Sequence, residues 1–288
     1  MKGALHFDYT TVGHVTVDVL ADGSRRPGGT AFYSALQAAR LGQRTLIVTQ
    51  GVEREIEELL EPYRDELELE IAPARQTTTL LSTRSGPERT QRVLAWAGVL
   101  AEDLALDSSI VHLAPVARET PTGWRGRADF VGLTPQGLVR DWAGHGRQIS
   151  LAPPAAAVER LALSCQAIVV SERERESCAG LIAAARSAGA VVAVTAGGAP
   201  NTILLADGGV LELDVPALEE PHDDLGAGDV FAAAFFIALA EGQPPERAAD
   251  FANAAAAVRM QGSGADAIGG RPAIEARLQA SAGSPGQR

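Results

Sequence analysis

The chain has 288 residues, of which 46% are hydrophobic and 21% charged, so it can fill one sizeable core. Its formal net charge of -11 argues against nucleic acid and anionic membranes as partners, because non-specific binding of either needs a basic surface. Two cysteines form neither a disulfide framework nor a zinc pattern and indicate a reduced, cytoplasmic setting. A signal peptide is not expected because the N-terminus lacks an apolar run of the kind that signal peptides have. A membrane span is not expected because the longest apolar run, residues 230–240, is shorter than the roughly 20 residues that a bilayer needs.

Short apolar runs alternate with alanine-rich helical stretches along most of the chain. The runs predicted to be buried strands are residues 45–49, 110–116, 130–133, 167–171 and 190–195. Helices are predicted at residues 30–41 and 178–188, each followed by a glycine and then a strand. The repetition predicts βαβ units, and therefore an α/β fold with a doubly wound, mostly parallel sheet flanked by helices.

Two segments break this alternation. Residues 15–29 and 76–98 are rich in Thr, Arg and Gly and are typical of hairpins without a following helix. We expect a single domain over residues 1–288, with a small β lid inserted at about residues 14–28 and 76–98. An exposed lid sheet could pair two copies as a homodimer. The tail at residues 280–288 is expected to be disordered.

The start of the apolar run at residues 230–240 carries an unusual polar motif. Gly226, Ala227 and Gly228 lead directly to Asp229. Glycines at a helix start leave free N–H groups, and the helix dipole adds partial positive charge, so an anion would bind well there. A carboxylate beside that position could accept a proton from a hydroxyl that attacks a phosphoryl group. The alternative is that Asp229 only stabilises the first turn of the helix.

A second motif lies near the N-terminus. Gly28-Gly29 opens the helix predicted at residues 30–41, and Asp18 lies ten residues before Gly28. With this motif, the residues 223–229 (Asp-Asp-Leu-Gly-Ala-Gly-Asp) and the segment 251–265, the chain resembles the ribokinase-like (PfkB) family of carbohydrate and nucleoside kinases. That family has a D-T-x-G-A-G-D signature near its C-terminus. The resemblance implies a doubly wound α/β domain with a β lid over the active site.

The resemblance also implies an activity and a set of site residues. The activity is transfer of a phosphoryl group from ATP to a hydroxyl of a small polyol (sugar, cyclitol or nucleoside). The expected cofactor is Mg²⁺, and a requirement for a monovalent cation such as K⁺ is left open. Asp229 would be the base, and the amides of Gly226, Ala227 and Gly228 the anion hole. The residues that would contact the acceptor are Asp18, Gly28, Gly29 and Tyr33. The residues that would lie along the nucleotide are Thr195, Gly197, Asn253 and Gly264, and Glu174 would bind the metal.

Several positions depart from the family pattern. Tyr33 stands where the family often has Asn, and Ser171 replaces the Asn of an Asn-x-x-Glu motif that ends here in Glu174. Pro200 replaces the last Gly of a nucleotide-side motif, and Asp224 replaces Thr. These departures keep a second hypothesis open, in which the chain binds nucleotide or a sugar-like ligand without turnover, as a sensor or scaffold.

Two further polar residues are candidates for the acceptor site. Arg92 in the predicted lid could bind an anionic acceptor, or it could be a solvated charge that discourages strand pairing. Gln136 follows the strand predicted at residues 130–133, a position where α/β sheets tend to bind ligands, although it could equally serve a turn. A dinucleotide-dependent oxidoreductase is disfavoured because residues 12–16 lack a G-x-G-x-x-G turn, and no P-loop pattern is present.

Overall fold

The computed structural model describes residues 6–85, 88–143, 148–218 and 223–282. Its strands are β1 (Phe7–Val12), β2 (Thr16–Val19), β3 (Arg25–Gly28), β4 (Thr45–Gly51), β5 (Glu68–Pro73), β6 (Thr79–Ser85), β7 (Glu88–Ala95), β8 (Ala105–Leu113), β9 (Arg125–Leu133), β10 (Arg140–Asp141), β11 (Ser150–Leu151), β12 (Ala167–Ser171), β13 (Val191–Thr195), β14 (Asn201–Leu204) and β15 (Val210–Leu213). Its α-helices are α1 (Thr30–Arg40), α2 (Glu53–Leu60), α3 (Gln136–Val139), α4 (Ala156–Glu159), α5 (Ala179–Ser187), α6 (Ala227–Ala240), α7 (Pro245–Met260) and α8 (Arg271–Ala282).

A large central sheet organises the molecule. Across the described part of the chain it has nine strands in the order β15-β14-β13-β12-β9-β8-β1-β4-β5. The strands from β13 to β5 run parallel, and β14 and β15 form an antiparallel hairpin at one edge. The strand order runs outward in both directions from the middle of the sheet, which is the doubly wound arrangement that the βαβ pattern predicts. The predicted fold class is therefore confirmed.

Helices cover both faces of the central sheet. One apolar cluster contains the buried faces of α1, α6 and α7, with Phe32, Phe235 and Phe236 at its centre. The other lies on the opposite face, where α5 contributes Leu181 and Ala185. The strands between these layers are buried on both sides, which explains their β-branched, almost continuously apolar sequences.

A second, four-stranded sheet is built from the two segments that interrupt the alternation. Its order is β3-β2-β6-β7, with β2 and β6 parallel and the outer pairs antiparallel. These strands lie within the segments 14–28 and 76–98 where the lid is expected. Helix α8 extends to Ala282 and so includes the first residues of the expected tail, while residues 283–288 lie outside the described part.

Helix α6 sets the position of the candidate site. Its apolar sequence is buried almost all round, including Phe235 and Phe236, as expected of a helix that runs through a core. Its first turn carries Asp229. Near that turn, β9 ends and is followed by Thr134, whereas β12 and β13 end at Ser171 and Thr195. The carboxyl edge of a parallel sheet is where doubly wound folds bind ligands.

Candidate active site

Asp229 lies where two cavities meet. A cavity of about 180 Å³ opens toward the small sheet, and one of about 720 Å³ extends along the carboxyl edge of the central sheet. Asp229 and Gly228 line both. A carboxylate shared by two cavities can act on a group in either, so the geometry suits a reaction between two bound molecules.

The start of α6 needs glycine for a steric reason. Gly226 precedes the helix with φ 79° and ψ 0°, in the left-handed region that side chains disfavour. A Cβ at this position would lie 2.5 Å from Cγ of Tyr33, so the Tyr33 ring packs directly against the bare backbone. The turn therefore depends on both the conformational freedom and the small volume of Gly226.

The three amides predicted to form an anion hole are not equivalent. The N–H of Ala227 donates to the carbonyl of Asp224 at 3.2 Å and closes a turn. The amides of Gly226 and Gly228 donate to no acceptor within the described residues. Gly226 lines the smaller cavity and Gly228 lines both, so both amides belong to residues at the place where the cavities join.

A polar cluster orients the Asp229 side chain. Gln136 Nε2 donates to Asp229 Oδ1 at 3.3 Å and also to Thr30 Oγ1. Its carbonyl oxygen accepts from Arg140 Nη2 at 2.9 Å, and this bond assigns which end of the amide faces the carboxylate. Ser34 Oγ donates to the backbone carbonyl of Asp229 at 3.0 Å. The predicted Gln136 thus contacts the predicted base, and α1 supports the same turn.

The smaller cavity contains the predicted acceptor residues Asp18, Gly29 and Tyr33. Asp18 is 3% exposed and accepts from Thr16 Oγ1 at 2.8 Å. Gly28 lies beneath it, where a Cβ would fall 2.5 Å from both carboxylate oxygens. Burial, and then the charge of Asp18, raises the pKa of the Tyr33 phenol well above its ordinary value, so Tyr33 presents a neutral wall. A buried carboxylate beside an aromatic wall suits a small ligand with hydroxyl groups.

The larger cavity contains Thr195 and Glu174, two of the predicted nucleotide and metal residues. Glu174 Oε2 accepts from Ser171 Oγ at 2.6 Å and from the Ser171 amide at 3.2 Å. Serine therefore holds this glutamate although the expected asparagine is missing. Arg173, which the sequence analysis did not select, lines the same cavity.

The arrangement fits one mode of magnesium binding. No cluster of three or more His, Cys, Asp and Glu that could cage a metal is found among the described residues. Mg²⁺ commonly uses one or two carboxylates, several waters and the phosphates of its ligand. Glu174 and Asp224, which line the same cavity, fit that mode.

Six predicted site residues line neither cavity, and Gly28 and Ala227, described above, are two of them. Arg92 is exposed on the opposite face of β7 from Gln91, which lines both cavities. Asn253 is 3% exposed and its side chain is held inside, accepting from Asn201 Nδ2 at 2.7 Å and donating to the carbonyl of Asp214 at 3.5 Å. The other two are Gly197 and Gly264, of which Gly264 donates its amide to Asp223 Oδ2 at 3.2 Å.

The sequence did not indicate Gln91 of β7, which lines both cavities. Its Oε1 accepts from Arg140 Nη2 at 2.9 Å. The available signal is strand alternation, because successive side chains of β7 point to opposite faces. The sequence indicates the alternation but not which face covers the cleft, so it could not choose Gln91 over Arg92.

Comparison with known proteins finds similarity to one family over part of the chain. Residues 155–269 match the model of the pfkB family carbohydrate kinase. The ribokinase of Bacillus subtilis (strain 168) is 48% identical over 65 residues, a match that spans only 22% of this chain and 22% of that enzyme.

Two solved structures share the fold over nearly their whole length. A pyrophosphate-dependent kinase in the ribokinase family, in a sulfate complex, has a TM-score of 0.71 and 22% identity, covering 90% of this chain and 99% of that chain. Arabidopsis thaliana ribokinase, complexed with ribose and ATP, has a TM-score of 0.70 and 18% identity, covering 96% of this chain and 99% of that chain. No helix in the described ranges is both long and apolar enough to cross a membrane. The expected resemblance is thus confirmed: the chain has the ribokinase fold, and its C-terminal part matches the pfkB family of carbohydrate kinases.

Proposed function

We propose that this chain is a phosphotransferase that moves the terminal phosphoryl group of ATP to a hydroxyl of a small polyol, such as a sugar, cyclitol or nucleoside. The observation that carries this proposal is the position of Asp229 between two cavities of different character. The smaller holds Asp18 and Tyr33 and suits the acceptor; the larger holds Glu174 and Thr195 and suits a polyphosphate.

In the proposed reaction Asp229 accepts the proton of the acceptor hydroxyl. The hydroxyl oxygen forms a bond to the terminal phosphorus while the bond from phosphorus to the leaving oxygen breaks, giving a phosphomonoester and ADP. The amides of Gly226 and Gly228 stabilise the charge on the transferring group, and the partial charge of the α6 N-terminus adds to them. Bound Mg²⁺, held by Glu174 and Asp224, would neutralise phosphate charge.

Gln136 has a positioning role in this scheme. It bonds Asp229, while Arg140 fixes its amide so that the donor end faces the carboxylate. This contact restrains the side chain of Asp229 in one orientation. A base held in one orientation lowers the entropic cost of reaching the reactive geometry.

The direct test is phosphoryl transfer across a panel of sugars, cyclitols and nucleosides, measured by ADP release and by detection of the phosphorylated product. Asp229→Asn should lower kcat about 10²–10⁴-fold, since this is the usual contribution of a general base. Glu241→Gln, an acid-to-amide change at the far end of the same helix, serves as the control and should leave the rate unchanged. Full activity of Asp229→Asn would refute the mechanism. Tight ligand binding without transfer to any acceptor would instead support a sensor or scaffold.

A second candidate donor is pyrophosphate, and a specific observation favours it. The larger cavity reaches Thr195 but not Gly197, Asn253 or Gly264, the residues expected along the nucleoside, and the Asn253 amide is already bonded to Asn201. A donor without a nucleoside needs none of them. Initial rates with ATP and with pyrophosphate at equal concentration, each with Mg²⁺, decide between the two donors.

Pairing through the lid stays a prediction. The edge strands of the small sheet are β3 and β7, and Leu94 of β7 is exposed. Unpaired edge strands can join two copies of a chain. Light scattering of the full chain and of Leu94→Lys tests whether a dimer forms there.

A further inference from the structure

A buried arginine lies directly behind the anion-hole turn. Arg259 of α7 has no exposed side-chain surface, and both of its terminal nitrogens are saturated by oxygens. Nη1 donates to the carbonyls of Asp223 and Gly262 at 3.3 Å each. Nη2 donates to Asp223 Oδ2 at 3.1 Å and to the carbonyl of Leu225 at 2.7 Å. The guanidinium thereby joins the loop before α6 to the loop after α7.

The oxygens around Arg259 are of the kind that holds a monovalent cation. One carboxylate and three backbone carbonyls, from two loops, converge on a single positive charge. Potassium in proteins is typically coordinated by such backbone carbonyls. Brought together without a cation, these partial negative charges would repel one another and leave buried acceptors unsatisfied.

A free monovalent cation does not fit at this place. The resemblance to carbohydrate kinases leaves a requirement for K⁺ open, but here each oxygen is already within hydrogen-bonding distance of Arg259 nitrogen. The Tyr33 ring lies over the guanidinium, with its centroid 5.8 Å from Cζ. The side chain fills the space that an ion and its ligands would need.

The bond to Leu225 links Arg259 to the reaction centre. The carbonyl of Leu225 and the N–H of Gly226 belong to one peptide unit, and in a trans peptide the two groups point in opposite directions. Fixing the carbonyl at 2.7 Å from a guanidinium nitrogen therefore fixes the Gly226 N–H on the opposite side, facing away from Arg259. A charged donor on the carbonyl also polarises the peptide and strengthens its N–H as a donor.

A purely structural role would not need this residue. A buried charge is costly, and apolar side chains of similar volume often stabilise a core as well or better. Arg259 is incompletely compensated, because its Nε has no partner among the residues described. Asp223 receives further support from the Leu225 and Gly264 amides; burial raises its pKa, but these bonds and Arg259 outweigh burial and hold the pKa below its ordinary value.

We propose that Arg259 is a built-in cation that takes the place of a monovalent ion and positions the Gly226 amide, so that the chain works without K⁺. This inference rests on the proposed phosphotransfer for its effect on rate, but not for its effect on cation binding. Arg259 is a positioning residue, since it acts through the loop and does not touch the reacting atoms.

The test compares wild type with Arg259→Ala in KCl and in choline chloride at equal ionic strength. Wild type should show the same rate and the same melting temperature in both salts. Arg259→Ala leaves the carbonyls and carboxylate without their cation, so in choline its rate should fall about 10–100-fold, the usual effect of losing a group that supports a site residue. Potassium or guanidinium chloride should restore much of that rate and raise the melting temperature of this variant alone. Arg247→Ala, an exposed arginine on the same helix, is the control and should behave as wild type.

Two outcomes would overturn the inference. One is a wild-type enzyme whose rate or melting temperature depends on K⁺. The other is an Arg259→Ala protein that folds but responds to neither cation. If Arg259→Ala does not fold, Arg259→Lys, which keeps the charge, should fold, and its rate and melting temperature should not depend on K⁺. A potassium requirement in Arg259→Lys would contradict the inference. If wild type transfers no phosphate, the melting temperatures still show whether Arg259 replaces a cation. Failure of the proposed function is therefore distinguishable from failure of this inference.

Discussion

The turn before α6 predicts a large and specific response to one added methyl group. In Gly226→Ala the new side chain would have to adopt φ near 79°, and its Cβ would overlap the Tyr33 ring, 2.5 Å from Cγ and 2.7 Å from Cε1. The left-handed conformation costs an alanine about 1–2 kcal/mol. Overpacking costs about 1–3 kcal/mol more, so the free energy of unfolding should fall by about 2–5 kcal/mol.

The matched control separates the two contributions. Gly242, after the other end of α6, has φ 84° and nothing within 4 Å of an added Cβ, so Gly242→Ala should cost only the conformational part, about 1–2 kcal/mol. Guanidinium denaturation followed by circular dichroism measures both variants. Combining Gly226→Ala with Tyr33→Ala should cost less than the sum of the single changes, because the overlap is gone. The reasoning would be refuted if Gly226→Ala and Gly242→Ala lowered the free energy of unfolding equally, and if the effects of Gly226→Ala and Tyr33→Ala added to within about 0.5 kcal/mol.

The remaining predictions concern two buried titratable side chains. Burial lowers the pKa of His112 to about 3, so the folded protein keeps this side chain neutral, whereas the unfolded chain binds a proton below the ordinary pKa of 6.5. The free energy of unfolding should therefore fall by about 1.4 kcal/mol per pH unit as the pH drops from about 6.5 toward 3. Denaturation of wild type and His112→Gln at pH 7, 6 and 5 isolates that slope as the difference between the two proteins. A slope that His112→Gln leaves unchanged would contradict this assignment. Glu119 is fully buried, and its carboxylate accepts hydrogen bonds from three backbone amides at 2.6–2.8 Å. Glu119→Gln turns one of these acceptors into a donor and should lower the free energy of unfolding by about 1–3 kcal/mol. Glu102→Gln, on the surface, is the control and should leave it unchanged within error.

The fold was largely predictable because its signals are local. Strand β12 occupies the predicted residues 167–171, and α1 begins at the predicted Thr30, since both are set by short apolar patterns and by the Gly-Gly start. The β14–β15 hairpin at the sheet edge was not predicted. Its two strands have four residues each, and such short runs resemble loops in a single sequence.

The site was predictable where one continuous motif supplies it. The segment from Asp223 to Asp229 lies together because the chain itself connects it, whereas Gln91 arrives from a distant strand whose facing depends on sheet register. Asn253 shows the limit of a local motif. It lies in the segment 251–265 that contributes to the resemblance, but its amide turns inward to Asn201, a partner 52 positions away that no local pattern indicates.

The charges of the larger cavity constrain what can enter it. Glu174, Asp224 and Asp229 place three carboxylates along its lining. Two arginines, Arg140 and Arg173, line the same cavity, so the carboxylates outnumber the cations there by one. A bare polyphosphate would meet this acidic lining with unfavourable energy, because like charges in a partly desolvated cleft repel strongly. We therefore propose that the donor binds together with a divalent cation. Asp224, the acid at the position where the family has threonine, would then favour binding of the metal complex.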